Sequence, residues 1–217
     1  MFKDRTDSGR RLAARLIGYK GREDVLVLAL PRGGVVTGYE IASILSVPLD
    51  IIIVRKIGFP GQPELAIGAI AETGAVILNK SIISTWNVPE GYIQNEISRQ
   101  KEEISRRVKI YREGKSISKL EDRIVVLADD GVATGATMKA AISALKEART
   151  RRLITAVPVS PPQTAEELKA VSDELICLET PLFFMAIGEY YEDFTQVSDE
   201  QVIELLHKSW AHQTNTA

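Results

Sequence analysis

Apolar residues along this chain come in short dense runs separated by longer amphipathic stretches. Val25–Leu30, Leu49–Val54, Ile124–Ala128, Leu153–Val157 and Glu174–Leu178 are short and mostly rich in β-branched residues, which predicts buried strands. Between and around them, Asp7–Tyr19, Val35–Leu45, Glu90–Glu113, Thr137–Ala148, Gln163–Val171 and Ser198–His207 read as helices. Leu12, Leu16 and Ile17 share one side of the first. Ile93, Ile97, Ile104, Val108 and Tyr111 form the apolar stripe of the long, highly charged third. Ser198 and Gln201 stand at capping-box spacing at the start of the last. Ala66–Glu72 and Ala75–Leu78 read as two more short strands around the turn Thr73-Gly74. Arg55–Leu65, with Pro60, Pro63 and the charges Arg55, Lys56 and Glu64, predicts a mobile loop.

Strands alternating with helices imply an α/β fold with a doubly wound, mostly parallel sheet. We expect a single domain over residues 1–217, with the less regular residues 179–217 as a cap. Ligands of such sheets collect beyond the C-terminal ends of the strands. The loops at 31–34, 55–65 and 129–137 all follow predicted strand ends, so they form one candidate site.

Composition narrows the class. The chain has 217 residues, 45% of them hydrophobic and 26% charged, as in soluble globular proteins. The net charge of −2 gives no general pull toward nucleic acid or membrane. The single cysteine, Cys177, lies in an apolar run and excludes an intramolecular disulfide framework. The charged start MFKDRTDSGRRL has no apolar core of a signal peptide, and no apolar run reaches membrane-spanning length, so a cytoplasmic location is expected. His212–Ala217 reads as a frayed end. His207 and His212 have no partner at metal-ligand spacing, and no Ser/His/Asp constellation is evident.

The densest chemistry lies in IVVLADDGVATGAT, residues Ile124–Thr137. A buried strand ends in adjacent acids, Asp129 and Asp130. The small-residue turn Gly131-Val132-Ala133-Thr134-Gly135-Ala136 follows, and Thr137 opens a helix. Backbone N–H groups and the helix dipole make such a turn an anion cradle. Thr134 and Thr137 add hydroxyl donors. The two acids can accept hydrogen bonds from a vicinal diol or hold Mg²⁺ through water. Phosphate beside a diol outlines a ribose 5-phosphate. A second segment, Leu30-Pro31-Arg32-Gly33-Gly34, sets a bidentate phosphate donor beside two glycines that open the backbone for close approach.

The Ile124–Thr137 segment resembles the phosphoribosyl-diphosphate (PRPP) motif of type I phosphoribosyltransferases: a hydrophobic strand, two acids and a loop ending Thr-Gly-x-Thr. The whole chain also resembles a subgroup of that family whose acceptor is unsettled, through LPRGG, VRK-G-PG-PE-A-GA and a YEDF-Q-SDE ending. The resemblance implies transfer of the 5-phosphoribosyl group from PRPP to a nitrogenous acceptor, with Mg²⁺ as cofactor and release of pyrophosphate, or the reverse. It implies that Asp129 and Asp130 fix the ribose hydroxyls and that Gly131, Val132, Ala133, Thr134, Gly135, Ala136 and Thr137 hold the 5-phosphate. Arg32, Gly33, Gly34, Arg55 and Lys56 would hold pyrophosphate, the Arg55–Leu65 segment acting as the flexible catalytic loop. Glu64 is either a proton-handling group there or a solvated residue. The aromatic stretch at 183–194 corresponds to the family's variable hood. Phe183, Phe184, Tyr190 and Tyr191 there either stack on the acceptor or pack as a small satellite core. A homodimer is expected.

Hypoxanthine-guanine members of the family carry Asp at the position of Ala133, where it acts at the purine N7. Alanine cannot do so, which disfavours a 6-oxopurine acceptor. Two other readings stay open. One is a non-catalytic PRPP-sensing regulator, disfavoured by the absence of an appended helix-turn-helix segment and by the slightly acidic balance. The other is a hydrolase or phosphorolase on the same scaffold.

Overall fold

The computed structural model describes residues 1–214, without the side chains of Glu64 and of residues 212–214. The frayed end expected at His212–Ala217 thus lies largely outside the described residues. The elements are α1 (Arg5–Arg15), β1 (Val25–Ala29), α2 (Gly33–Leu45), β2 (Leu49–Ile51), β3 (Val54–Phe59), β4 (Gln62–Ala71), β5 (Val76–Leu78), α3 (Lys80–Thr85), α4 (Glu90–Arg112), β6 (Ile124–Ala128), α5 (Ala136–Glu147), β7 (Arg152–Val159), α6 (Pro162–Val171), β8 (Glu174–Glu179) and α7 (Asp199–Thr214).

Five strands form a parallel sheet in the order β2-β1-β6-β7-β8. The fold is α/β and doubly wound, as expected. β1 and β6 are buried at every position because helices cover both faces. Their side chains still alternate. Val25, Val27 and Ala29 join the core built with Leu12 of α1 and Leu16 just after it, Ile41 and Leu45 of α2, and Val202 and Leu206 of α7. Leu26 and Leu28 face the opposite core, with Met138, Ile142 and Leu145 of α5 and Leu168 of α6. From β1 the chain winds through α2 to β2 at one edge. From β6 it winds through α5, β7 and α6 to β8 at the other. The direction of winding reverses between β1 and β6, the switch point beyond which ligands of such sheets collect.

The second sheet is a small antiparallel unit, β3-β4-β5, packed on α4 and α5. Here the structure departs from the sequence-based expectation. Most of Arg55–Leu65 is not a loop but the upper part of a hairpin turning at Pro60-Gly61, with Gly61 at φ +75°. Two features let a proline-rich segment form strands. The pairing with β5 covers only Gly68–Ile70, so Pro63 lies where β5 does not reach and its missing N–H breaks no ladder there. The β3–β4 register also shifts around Gly58, which absorbs the irregularity. Ile57 and Ile67, both fully buried, fasten the hairpin to the core.

After β8 the chain is irregular to residue 198, apart from a short 3₁₀ turn at Ile187–Tyr190. The capping box then opens α7: the Ser198 N–H donates to Gln201 Oε1 at 2.9 Å, and the Gln201 N–H donates to Ser198 Oγ at 3.2 Å. The N-terminal residues run beside the irregular segment. The Phe2 N–H donates to the Tyr190 carbonyl at 2.7 Å and the Glu192 N–H to the Phe2 carbonyl at 2.9 Å.

Candidate functional site

Beyond the C-terminal end of β6 lies a cleft of about 200 Å³. It is lined by Lys56, Asp129, the turn Gly131–Thr137, Met138 and Ile187. Asp129 and Asp130 leave β6 at the point where the strand order reverses. The turn behind them is anchored twice: the Val132 N–H donates to the Val159 carbonyl at 2.9 Å, and Thr164 Oγ1 donates to the Ala133 carbonyl at 2.8 Å. Gly135, in the left-handed region at φ +75°, starts α5. The first intrahelical bond there is from Lys139 to Gly135, so the N–H groups of Ala136, Thr137 and Met138 precede it and face the cradle. Thr134 is exposed and Thr137 half-buried.

The two acids sit differently. Asp129 lines the cleft, and its Oδ1 accepts the Asp130 N–H at 2.9 Å. Burial, and then the neighbouring Asp130 charge, push its carboxyl well above the usual carboxylate range. A cation bound beside it would offset both effects. Asp130 turns instead to Arg5 of α1, whose Nε donates to its Oδ2 at 2.6 Å. The glycine loop lies directly on this pair. A Cβ on Gly33 would stand 1.8 Å from Asp130 Oδ2, and one on Gly34 would stand 2.8 Å from Asp129 Oδ1. Only glycine permits that approach.

The remaining residues named from sequence divide clearly. Lys56, exposed on β3, faces the cleft across from the turn. Arg55, next to it, points the other way: its Nε donates to Gln100 Oε1 on α4 at 3.0 Å. Burial lowers its pKa, as do the charges of Arg107 and Arg99. Arg32 lies half-exposed, 3.8 Å from Asp199 at the start of α7. Asp199 also accepts the Tyr111 hydroxyl at 2.6 Å; burial and this contact push that hydroxyl up to about 12. Glu64 falls in β4, and its side chain lies outside the described residues.

The hood aromatics do not line the cleft. Phe183 is 92% exposed. Phe184 stacks on Tyr190 at 5.6 Å between centroids, and the Tyr190 hydroxyl donates to the Phe183 carbonyl at 2.9 Å. Tyr191 corrects the expectation of a stacking face. It is buried between Phe2 and Phe194, with its hydroxyl donating to the Asp130 carbonyl at 2.6 Å. The side chain of this segment that reaches the cleft is Ile187. It packs so closely on Gly131 that a Cβ there would stand 2.5 Å from Ile187 Cγ2. Sequence reading missed Ile187 and Arg5. Neither belongs to a local motif, and nothing in the spacing ties them to the acids.

A glycine-rich strand–turn–helix with a carboxylate and a facing lysine, at the switch point of a doubly wound sheet, places the chain among α/β proteins of nucleotide-fold architecture. The family described as Phosphoribosyl transferase domain matches residues 3–195, and the chain belongs to that family. Two Mycobacterium tuberculosis proteins, from strains CDC 1551 and H37Rv and each named "Putative phosphoribosyl transferase", are 41% identical over 209 residues. The match takes in 96% of this chain but 47% of theirs, so the chain spans about half the length of these curated relatives. The crystal structure of TT1426 from Thermus thermophilus is 41% identical and superposes with a TM-score of 0.83, covering 96% of this chain and 98% of that one. Among the described residues, no helix is long and apolar enough to cross a membrane.

Proposed function

We propose that this transferase moves the 5-phosphoribosyl group of PRPP to a nitrogenous acceptor. The observation that carries the reading is the continuity of Asp129, the glycine-rich turn and the helix N-terminus in one cleft with Lys56 opposite. The acceptor nitrogen forms a bond to C1 as the C1–O bond breaks. Pyrophosphate leaves with the electron pair, and positive charge spreads to the ring oxygen. The turn Gly131–Thr137 holds the 5-phosphate, while Asp129 and Asp130 hold the ribose hydroxyls. Lys56 and Arg32 meet the charge growing on pyrophosphate. Arg55, committed to Gln100, acts through the hairpin rather than on the leaving group.

The residues present fit Mg²⁺. The donors are carboxylate oxygens, and no cluster of three or more ligating side chains exists among the described residues. Such a site suits a cation that keeps most of its waters and takes phosphate oxygens from its substrate. Asp129 would hold it through water, and bound there it would neutralise pyrophosphate charge.

The test is a panel of nitrogenous bases offered with PRPP and Mg²⁺ and read by pyrophosphate release. Release with one base and none without it supports the assignment. No PRPP binding by calorimetry would overturn it.

A further inference from the structure

We propose that Arg5 is a positioning residue of the ribose site: it fixes the rotamer of Asp130 and thereby sets how the site grips the sugar diol. The inference rests on the PRPP reading above and adds a residue outside the motif. Arg5 lies 125 positions before Asp130, in the first turn of α1, yet the two side chains are only 10% and 14% exposed. The guanidinium is held on three sides. Nε meets Asp130 Oδ2 at 2.6 Å, Nη1 donates to the Thr195 carbonyl at 2.8 Å, and the group lies 3.8 Å over the Phe194 ring. It is therefore a fixed fork and not a side chain that swings in and out.

Asp130 is held just as firmly from behind, since its carbonyl accepts the Tyr191 hydroxyl at 2.6 Å. A carboxylate with one oxygen tied to a rigid guanidinium cannot spin about its last torsion. With Oδ2 on the guanidinium the carboxylate plane is set, and Oδ1 is the oxygen left to accept a hydroxyl. Gly33 packs against the paired atoms themselves, Asp130 Oδ2 and Arg5 Nε, too near for any larger residue. A near-buried ion pair of this kind is weak evidence for a stabilising role. Its placement against a site carboxylate, with both neighbours of the guanidinium drawn from residues 194 and 195, is what a positioning role requires.

The experiment measures the full chain with Mg²⁺ by calorimetry, against PRPP, inorganic pyrophosphate, ribose 5-phosphate and 2-deoxyribose 5-phosphate. Wild type should bind PRPP and prefer the ribose ester to the deoxy ester. If wild type binds neither PRPP nor ribose 5-phosphate, the PRPP reading fails and this inference falls with it. In Arg5→Gln the preference should drop by about tenfold while pyrophosphate affinity holds, because the lost contact is a charge-assisted one at the sugar. A merely structural loss would weaken all ligands together and leave the preference unchanged, and that result overturns the proposal. Arg11→Gln is the control: Arg11 lies over the Phe2 ring on the same helix and touches neither acid. Its preference should match wild type, and an equal drop there would also overturn the proposal. If Arg5→Gln does not fold, Arg5→Lys is read in its place. A single ammonium cannot span Asp130 and Thr195 together, so the preference must still fall, and an unchanged preference rejects the role of Arg5.

Discussion

Asp129 and Asp130 are neighbours in the chain, yet one faces the cleft and the other is tied to Arg5. Replacing either with asparagine should weaken PRPP binding by roughly 1.5–3 kcal/mol, the scale of a hydrogen bond to a charged acceptor. Calorimetry of the two single variants checks this, and wild-type affinity in both would remove the acids from the sugar site. Ala133 lies exposed in the cleft lining, with no carboxylate to meet a purine N7. We therefore expect slow turnover with hypoxanthine and guanine, and rates like those of a dedicated enzyme would contradict the expectation. At this scale the motif was legible because its geometry is local: strand, acids and turn are consecutive, so each residue's neighbours are known from the sequence. Ile187 and Arg5 were not legible. Their contacts depend on how residues 1–5 and 187–195 cross, and no periodicity encodes that.

Among the elements, the β3–β4 hairpin matters most, because it carries Lys56 to the cleft and ends in an exposed Gly61 turn. Lys56→Ala should lower turnover more than it weakens ribose 5-phosphate binding, since that ligand lacks the pyrophosphate that the proposed reaction sets against the lysine. Equal losses in both would place Lys56 elsewhere in the reaction. Limited proteolysis gives a separate check: cleavage near Gly58–Gln62 should slow when PRPP and Mg²⁺ are present. Sequence reading took most of this hairpin for a loop because prolines and charges usually interrupt strands. The ladder comes from residues 62–71, whose pairing with β3 is a tertiary fact. α4, by contrast, was legible to within a residue, because its apolar stripe recurs over about five turns, from Ile93 to Tyr111. On its exposed side Glu103 accepts from Arg106 and Arg107, which hold its carboxyl down to about 2. The unfolded value is about 4.3. Any stability this gives is therefore complete above about pH 4.3 and lost as pH falls toward 2. Because the group is partly exposed, we expect Glu103→Gln to cost less than about 1 kcal/mol at neutral pH. In melts, the difference from wild type should shrink between about pH 4.3 and pH 2.

Across the whole molecule, the two sheets are joined by a buried charge cluster. Arg112, 1% exposed at the end of α4, pairs with Glu72 just after β4 and lies 3.7 Å from Asp50 of β2. Asp50 in turn accepts the Ser118 N–H at 2.8 Å and its hydroxyl at 2.7 Å. Arg112→Met should cost about 3–5 kcal/mol in chemical denaturation, because it leaves two carboxylates buried without their cation. A loss under about 1 kcal/mol would show that the cluster is not needed to join the sheets. The alternation of strand and helix made the main sheet legible from sequence. The cluster was not, since charged positions on α4 read as a solvated surface. The bridge between Phe2 and Tyr191 has a consequence in time. A chain emerging from the ribosome completes β6 and its acids long before residues 190–195 exist. Until they appear, Arg5 lacks its ring and its carbonyl acceptor, and Asp130 lacks the hydroxyl behind it. The nascent protein can thus own a nearly finished sheet while the Arg5–Asp130 corner is still unset, so that corner is completed in one late step rather than by degrees.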